Sequence, residues 1–119
     1  MSETSGFDLV RMEYGEHPAL FVYGEIDVMT APRLHETLEE MIAEAPTTLL
    51  VDLANVTFID STGLGTLVVA HRHLEERGGH LRLVSVPANV VQVLEVTGLV
   101  SRFNIFPDME AAGSRPEPT

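Results

Sequence analysis

Apolar and polar positions alternate loosely over residues 7–14 (FDLVRMEY) and again over 19–26 (ALFVYGEI), which predicts two strands. The intervening GEHP predicts a hairpin-like connection. The period then changes. In DVMTAPRLHETLEEMIAEAP (27–46), Leu34, Leu38, Met41, Ile42 and Ala45 recur at helical spacing, with Glu36, Glu39, Glu40 and Glu44 off that stripe. Thr30 reads as the cap of this helix and Pro32 falls in its first turn, where a missing N–H costs little. Pro46 closes it.

TTLLVDLA (47–54) is a short aliphatic run and predicts a central strand buried on both faces. A second helix is expected from near Ser61 to about Arg77, with Leu64, Leu67, Val68, His71 and Leu74 on one side and Gly78–Gly79 as its stop. HLRLVSV (80–86) predicts another strand, Pro87 opens a third helix through Thr97, and Gly98 ends it. SRFNIF (101–106) predicts a last short strand and DMEAA a final helical turn, with a disordered tail over 113–119. Strands that first pair locally and then alternate with helices imply one α/β domain with parallel members in its sheet.

Composition narrows the chemistry. At 119 residues the chain has room for one domain with a hydrophobic core, and with 45% hydrophobic but only 6% aromatic residues that core must be aliphatic. The absence of cysteine excludes disulfides, thiol catalysis and cysteine metal sites. No apolar run is long enough to span a bilayer, and MSETSGFDL lacks the basic start and apolar stretch of a signal peptide. A cytoplasmic location is the expectation. The net charge of -11, with arginine as the sole basic residue type apart from histidine, argues against nucleic acid and anionic membrane as partners.

One stretch stands out against this background. FIDSTGLG (58–65) sets two hydroxyls, a carboxylate and two glycines where a helix begins. A nucleophilic serine of the elbow type would have glycine two places before it, and Ser61 has Ile59. His71 lies roughly 15 Å along the helix axis from Ser61, too far to serve as its base. A phosphate-cradling P-loop needs a lysine, and the chain has none. His71 and His73, two apart on a helix, cannot share a metal ion. Two readings remain for Asp60, Ser61 and Thr62: simple helix capping, with Asp60 and Ser61 rival caps, or a serine that receives a phosphate. Gly63 and Gly65 cost about 1 kcal/mol each in a helix and are read as leaving a bare surface around the hydroxyl. A phosphate there would meet backbone N–H groups and the positive end of the helix.

Three segments, GEIDVMTAPRLHETL (24–38), VDLANVTFIDSTGLGTLV (51–68) and VVQVLEVTGLVSRFNIF (90–106), together resemble the bacterial anti-sigma factor antagonists of the STAS superfamily. The resemblance implies a single STAS-like domain with a core of about 7–112, a mixed sheet of about four to five strands and flanking α-helices. It implies Ser61 as the phosphoacceptor and Asp27, Asp60, Thr62, Gly63 and Gly65 as a switch surface for a partner. It further implies an anti-sigma factor with serine kinase activity and a metal-dependent serine phosphatase as partners, with no catalysis and no cofactor of its own. The alternative is a non-catalytic STAS adaptor or scaffold in a sensory or lipid-transport complex.

Overall fold

The computed structural model describes residues 6–114. Their order is β1 (Asp8–Tyr14), β2 (His17–Ile26), α1 (Ala31–Ile42), β3 (Thr48–Ile59), α2 (Ser61–Glu76), β4 (His80–Val84), α3 (Ala88–Val96), β5 (Asn104–Phe106) and α4 (Met109–Ser114), with a 3₁₀ turn at Val100–Arg102. The strands form one mixed sheet in the order β1-β2-β3-β4-β5. β1 and β2 are an antiparallel hairpin, and β2 to β5 run parallel. The α/β class, the five strands and the hairpin at the start all follow the sequence pattern.

The main core lies on one face of the sheet. Leu34, Leu38, Met41 and Ile42 of α1 meet Leu64, Leu67 and Leu74 of α2 and Val90 and Leu94 of α3 over Leu20, Leu49, Val51 and Leu81. On the other face α4 covers a smaller cluster of Ala19, Leu50, Val84, Phe106 and Ala112. Arg82 is buried there, donating to Ala112 O at 2.6 Å with its guanidinium over the Phe106 ring. α4 extends to Ser114, so Gly113 and Ser114 are helical rather than part of a disordered tail. The reason is local: Gly113 lies against the Tyr14 ring and its carbonyl is 3.2 Å from His17 Nε2. The remaining tail positions, 115–119, lie outside the described residues.

Several element boundaries differ from expectation. The hairpin turns at Gly15 and Glu16, and His17 and Pro18 already pair with Tyr14 and Glu13. α1 stops at Ile42, three residues before Ala45, which takes a left-handed φ of 55°. The largest difference is β3, which continues to Ile59 rather than ending near Ala54. Its register against β2 slips twice, between Phe21 and Tyr23 and between Gly24 and Glu25. These bulges place one extra β3 residue opposite β2 each time. The core positions therefore run Leu53, Val56, Ile59, at a spacing of three. The backbone groups near the slips are satisfied: Asp52 Oδ1 accepts from Ala54 N–H at 2.9 Å, and Thr57 C=O accepts from Asn89 Nδ2 at 3.1 Å. Burial raises the pKa of that Asp52 carboxyl, with the Ala54 hydrogen bond opposing.

His71 of α2 is 7% exposed, with its ring 5.4 Å from that of Phe103 and Nε2 3.3 Å from Glu75 Oε2. Burial holds its pKa below the ordinary 6.5; the Glu75 carboxylate opposes this, and the charges of His80 and Arg102 reinforce it. The unfolded chain therefore takes up a proton that the folded chain resists. Stability from this group is full above about pH 6.5 and falls as the pH drops through that value. Asp52, with a raised pKa, acts with the opposite sign as the pH rises from its unfolded value of 3.8. Comparison with H71F isolates the histidine: urea midpoints at about pH 7.5 and about pH 5.5 should differ less in H71F than in wild type. Equal pH dependence in the two proteins would remove His71 from this account.

Candidate functional site

The site is the junction at which β3 leaves the sheet and α2 begins, beside the end of β2. Ile26 pairs with Ile59, and the next backbone N–H, that of Asp60, donates to Ile26 C=O at 3.1 Å. Asp60 is extended (φ -109°, ψ -174°) and its Oδ1 accepts from Gly63 N–H at 3.0 Å, while its carbonyl accepts from Leu64 N–H at 2.9 Å. Asp60 is thus the cap, and Ser61 is the first helical residue. Ser61 and Thr62 are exposed, and the Ser61 hydroxyl has no hydrogen-bond partner among the described residues. Thr62 carries its carbonyl bond from Thr66 Oγ1 at 3.1 Å.

The two glycines do different things. Gly63 is buried, and a Cβ there would lie 2.9 Å from Ile26 O and collide with the Ile26 side chain. Its role is close packing of the helix end onto β2, which corrects the expectation that it serves to bare the surface. Gly65 is exposed, with open space where a Cβ would stand, and fits that expectation.

Asp27 follows Ile26 and shapes the neighbouring loop. Its Oδ1 accepts from Met29 N–H at 2.9 Å and Thr30 N–H at 3.1 Å, and its backbone N–H donates to Thr30 Oγ1 at 2.9 Å. The Thr30 hydroxyl donates in turn to Glu25 C=O at 2.7 Å, so it does not cap α1. The turn closed by these bonds holds out Val28 and Met29, 65% and 73% exposed, and at the end of β3 Phe58 is 46% exposed. Sequence reasoning passed over these three apolar side chains, although Val-Met within a turn is itself a signal. An open groove of about 640 Å³ adjoins the loop, lined by Tyr23, Glu25, Asp27, Met29, Asn55 and Thr57 among others.

Among the described residues neither histidine of α2 is turned to Ser61. His71 is turned to Glu75 and Phe103, and His73 Nδ1 is 2.8 Å from Glu39 Oε2. Among the described residues no group of three or more His, Asp or Glu side chains is placed to hold a metal ion. No helix of the described residues is long and apolar enough to cross a membrane. The arrangement offers an exposed hydroxyl at a helix start, an adjacent carboxylate, and exposed apolar side chains in the Asp27 loop and at the end of β3.

With this geometry in place, comparison with known proteins is specific. The STAS domain model matches residues 11–112. The chain belongs to the STAS domain family. An anti-sigma-B factor antagonist of Listeria monocytogenes is 39% identical over 84 residues, spanning 71% of this chain and 74% of that protein. Its counterpart of the same description in Bacillus subtilis is 37% identical over 78 residues, 66% and 71% of the two chains. The crystal structure of an anti-sigma factor antagonist from Mycobacterium paratuberculosis superposes with a TM-score of 0.84 at 26% identity, over 96% of this chain and 97% of that one.

The two glycines give opposed expectations. G63A should destabilise the domain by about 1–3 kcal/mol, as overpacking against fixed backbone does. G65A should stabilise α2 by up to about 1 kcal/mol. Urea unfolding of both variants checks this; equal effects would mean that the approach to Ile26 is not tight. D27A should cost about 1 kcal/mol through loss of the turn's hydrogen bonds, read by the same measurement.

Proposed function

We propose that this protein is an anti-sigma factor antagonist whose binding is switched by phosphorylation of Ser61. The observation that carries the reading is the exposed, unpartnered Ser61 hydroxyl on the first residue of α2, at the same end of the sheet as the exposed Val28 and Met29 of the loop after β2 and Phe58 at the end of β3. The description of the Listeria and Bacillus relatives as anti-sigma-B factor antagonists supports the class of partner. In the unphosphorylated form the exposed apolar side chains and Ser61 contact the anti-sigma factor, which releases its sigma factor. That same partner is the serine kinase, and a metal-dependent phosphatase restores the hydroxyl. The domain itself is a cytoplasmic binding protein without catalysis. Asp60 and Asp27 act by position: one caps the helix that presents Ser61, the other folds the loop that presents Val28 and Met29.

Phosphate on Ser61 adds about -1.5 to -2 charges next to Asp60. The helix end offsets this by about 0.3–1 kcal/mol, so the free domain tolerates the group. At a protein contact the same dianion must lose its water, and an unpaired buried charge costs several kcal/mol.

The test uses the kinase partner and ATP. One phosphate should be incorporated and map to Ser61, and S61A should take up none. Phosphorylation should weaken binding of the partner about 100-fold or more, without a large change in melting temperature. S61D should reproduce part of that loss, and F58A and M29A should weaken the unphosphorylated complex. Phosphate mapping mainly to Thr62, or a phosphoprotein that binds as tightly as wild type, would overturn the switch. Equal partner retention by S61A, wild type and phosphoprotein would favour the adaptor reading.

A further inference from the structure

A sheet exposes backbone edges only at its two ends, and here the ends differ. β5 is three residues long, too short to template another strand. β1 is seven residues long, pairs with β2 without a register break from Asp8↔Tyr23 to Tyr14↔His17, and contains neither proline nor lysine. Of the devices that blunt an edge strand it lacks shortness, proline and a bulge, and its charges, Asp8, Arg11 and Glu13, are of both signs. The two-residue turn at Gly15 and Glu16, with Gly15 at φ 61°, makes Tyr14 and His17 the closing hydrogen-bonded pair. Because alternate residues of an antiparallel strand direct their N–H and C=O to opposite edges, Leu9, Arg11 and Glu13 present theirs outward.

The side chains of β1 divide by face. Val10, Met12 and Tyr14 are 37%, 53% and 39% exposed and lie opposite Phe21, Ala19 and His17, on the α4 face. Arg11 lies on the α1 face, with Nη2 3.0 Å from Glu44 Oε2 and Nη1 3.8 Å from Glu40 Oε1. Glu13 shares that face and has no ion pair among the described residues.

We propose that β1 is a self-association edge, pairing antiparallel with β1 of a second copy about a two-fold axis through Met12. In this register Arg11 faces the partner's Glu13 twice, Val10 faces the partner's Tyr14 twice, and Met12 faces its counterpart. The outward N–H and C=O groups of Arg11 and Glu13 bond one another across the axis. An axis through Arg11 would instead oppose two guanidinium groups, and one through Val10 would set Arg11 against Leu9. Opposite charges and apolar pairs directly across a ladder stabilise it, whereas like charges do the reverse. Each copy carries a net charge of -11, but at 0.15 M ionic strength the Debye length is about 8 Å. The Arg–Glu pairs thus act at contact distance while repulsion between more distant charges is screened. The edge is separate from Ser61, so this inference does not rest on the switch.

The chain has no cysteine, which gives a clean probe. Residues facing across a non-hydrogen-bonded position have Cα atoms about 4.5 Å apart, within the disulfide range of about 4.4–6.8 Å. Under mild oxidation M12C should form a covalent dimer. V10C and Y14C should not crosslink alone but should do so when mixed. In sedimentation equilibrium wild type should show a reversible dimer, and R11E or E13R alone should raise its dissociation constant about tenfold or more. Mixing R11E with E13R should restore association, since each then opposes the other's charge. Circular dichroism of each variant confirms that the monomer is folded. Wild type that remains monomeric through its soluble range, faster crosslinking of R11C than M12C, or no recovery on mixing folded R11E and E13R would overturn the proposal.

Discussion

The approach of the α2 N-terminus to the end of β2 is the constraint from which the site is built. Three contacts fix it: Asp60 N–H on Ile26 C=O, Asp60 Oδ1 on Gly63 N–H, and Gly63 against Ile26. The first continues the β2–β3 ladder by one bond into the loop. The second orders the first helical turn, and the third sets its distance from the sheet. Each uses Ile26 or Asp60, so the start of α2 and the loop at Asp27 cannot move independently over more than a small distance. Ser61 is consequently presented at the start of α2, next to the end of β2, from which the loop with exposed Val28 and Met29 departs. Precision at an exposed residue comes here from backbone, glycine and the capping Asp60 carboxylate, not from a hydrogen bond to the hydroxyl itself.

The two bulges of β3 serve the same end. A regular strand from Leu53 would have alternated faces and carried Phe58 and Asp60 into a different relation to β2. The first slip brings Val56 into the core, and the second restores the alternation, so that Ile59 faces in and Phe58 stays in solvent two residues out of the unbroken register with β2. They also explain two polar groups that otherwise look misplaced. Buried Asp52 holds Ala54 N–H, and Asn89, from the start of α3, holds Thr57 C=O. Both bonds are made at exposed residues, Ala54 and Thr57, and hold the irregular path in place of ladder bonds to β2.

These features mark the boundary of what was legible in the sequence. Elements with one clean period were readable: the Leu34–Leu38–Met41 stripe, the Leu64–Leu67–Leu74 stripe, and the aliphatic run at the start of β3. The second half of β3 was not, because its bulges convert a spacing of two into Leu53, Val56, Ile59, which matches neither strand nor helix over so short a run. Asp60 and Ser61 could both be named, but choosing the cap needed the extended backbone of Asp60. Thr30 was legible as a cap by residue type, yet Glu25 C=O competes for its hydroxyl, a contact made by the end of another element. Gly63 and Gly65 are the same letter in the same motif. Only the position of Ile26 separates a packing requirement from an open surface.

The capping arrangement also bears on how a charge at Ser61 would be felt. Of the first-turn amides, Gly63 N–H is already committed to Asp60, so a phosphate there draws on the remaining helix-end groups and on water. If the phosphate displaced the Asp60 carboxylate from Gly63, one anionic cap would replace another, and the loss would be smaller than the about 1 kcal/mol of a missing cap. The helix would still be held by Gly63 on Ile26, a steric contact indifferent to charge. Two of the three contacts at this end of α2, Gly63 against Ile26 and Asp60 N–H on Ile26 C=O, therefore do not use the carboxylate that a phosphate could displace. A partner covering Val28, Met29 and Phe58 has no such redundancy. In the proposed complex its contact gains would come from dry apolar surface, about 25 cal/mol per Å² removed from water, and a hydrated dianion within the contact would forfeit that drying. On the proposed switch the same group would be nearly neutral for folding and decisive for binding, because the fold relies on packing beneath the helix and the proposed complex on the surface above it.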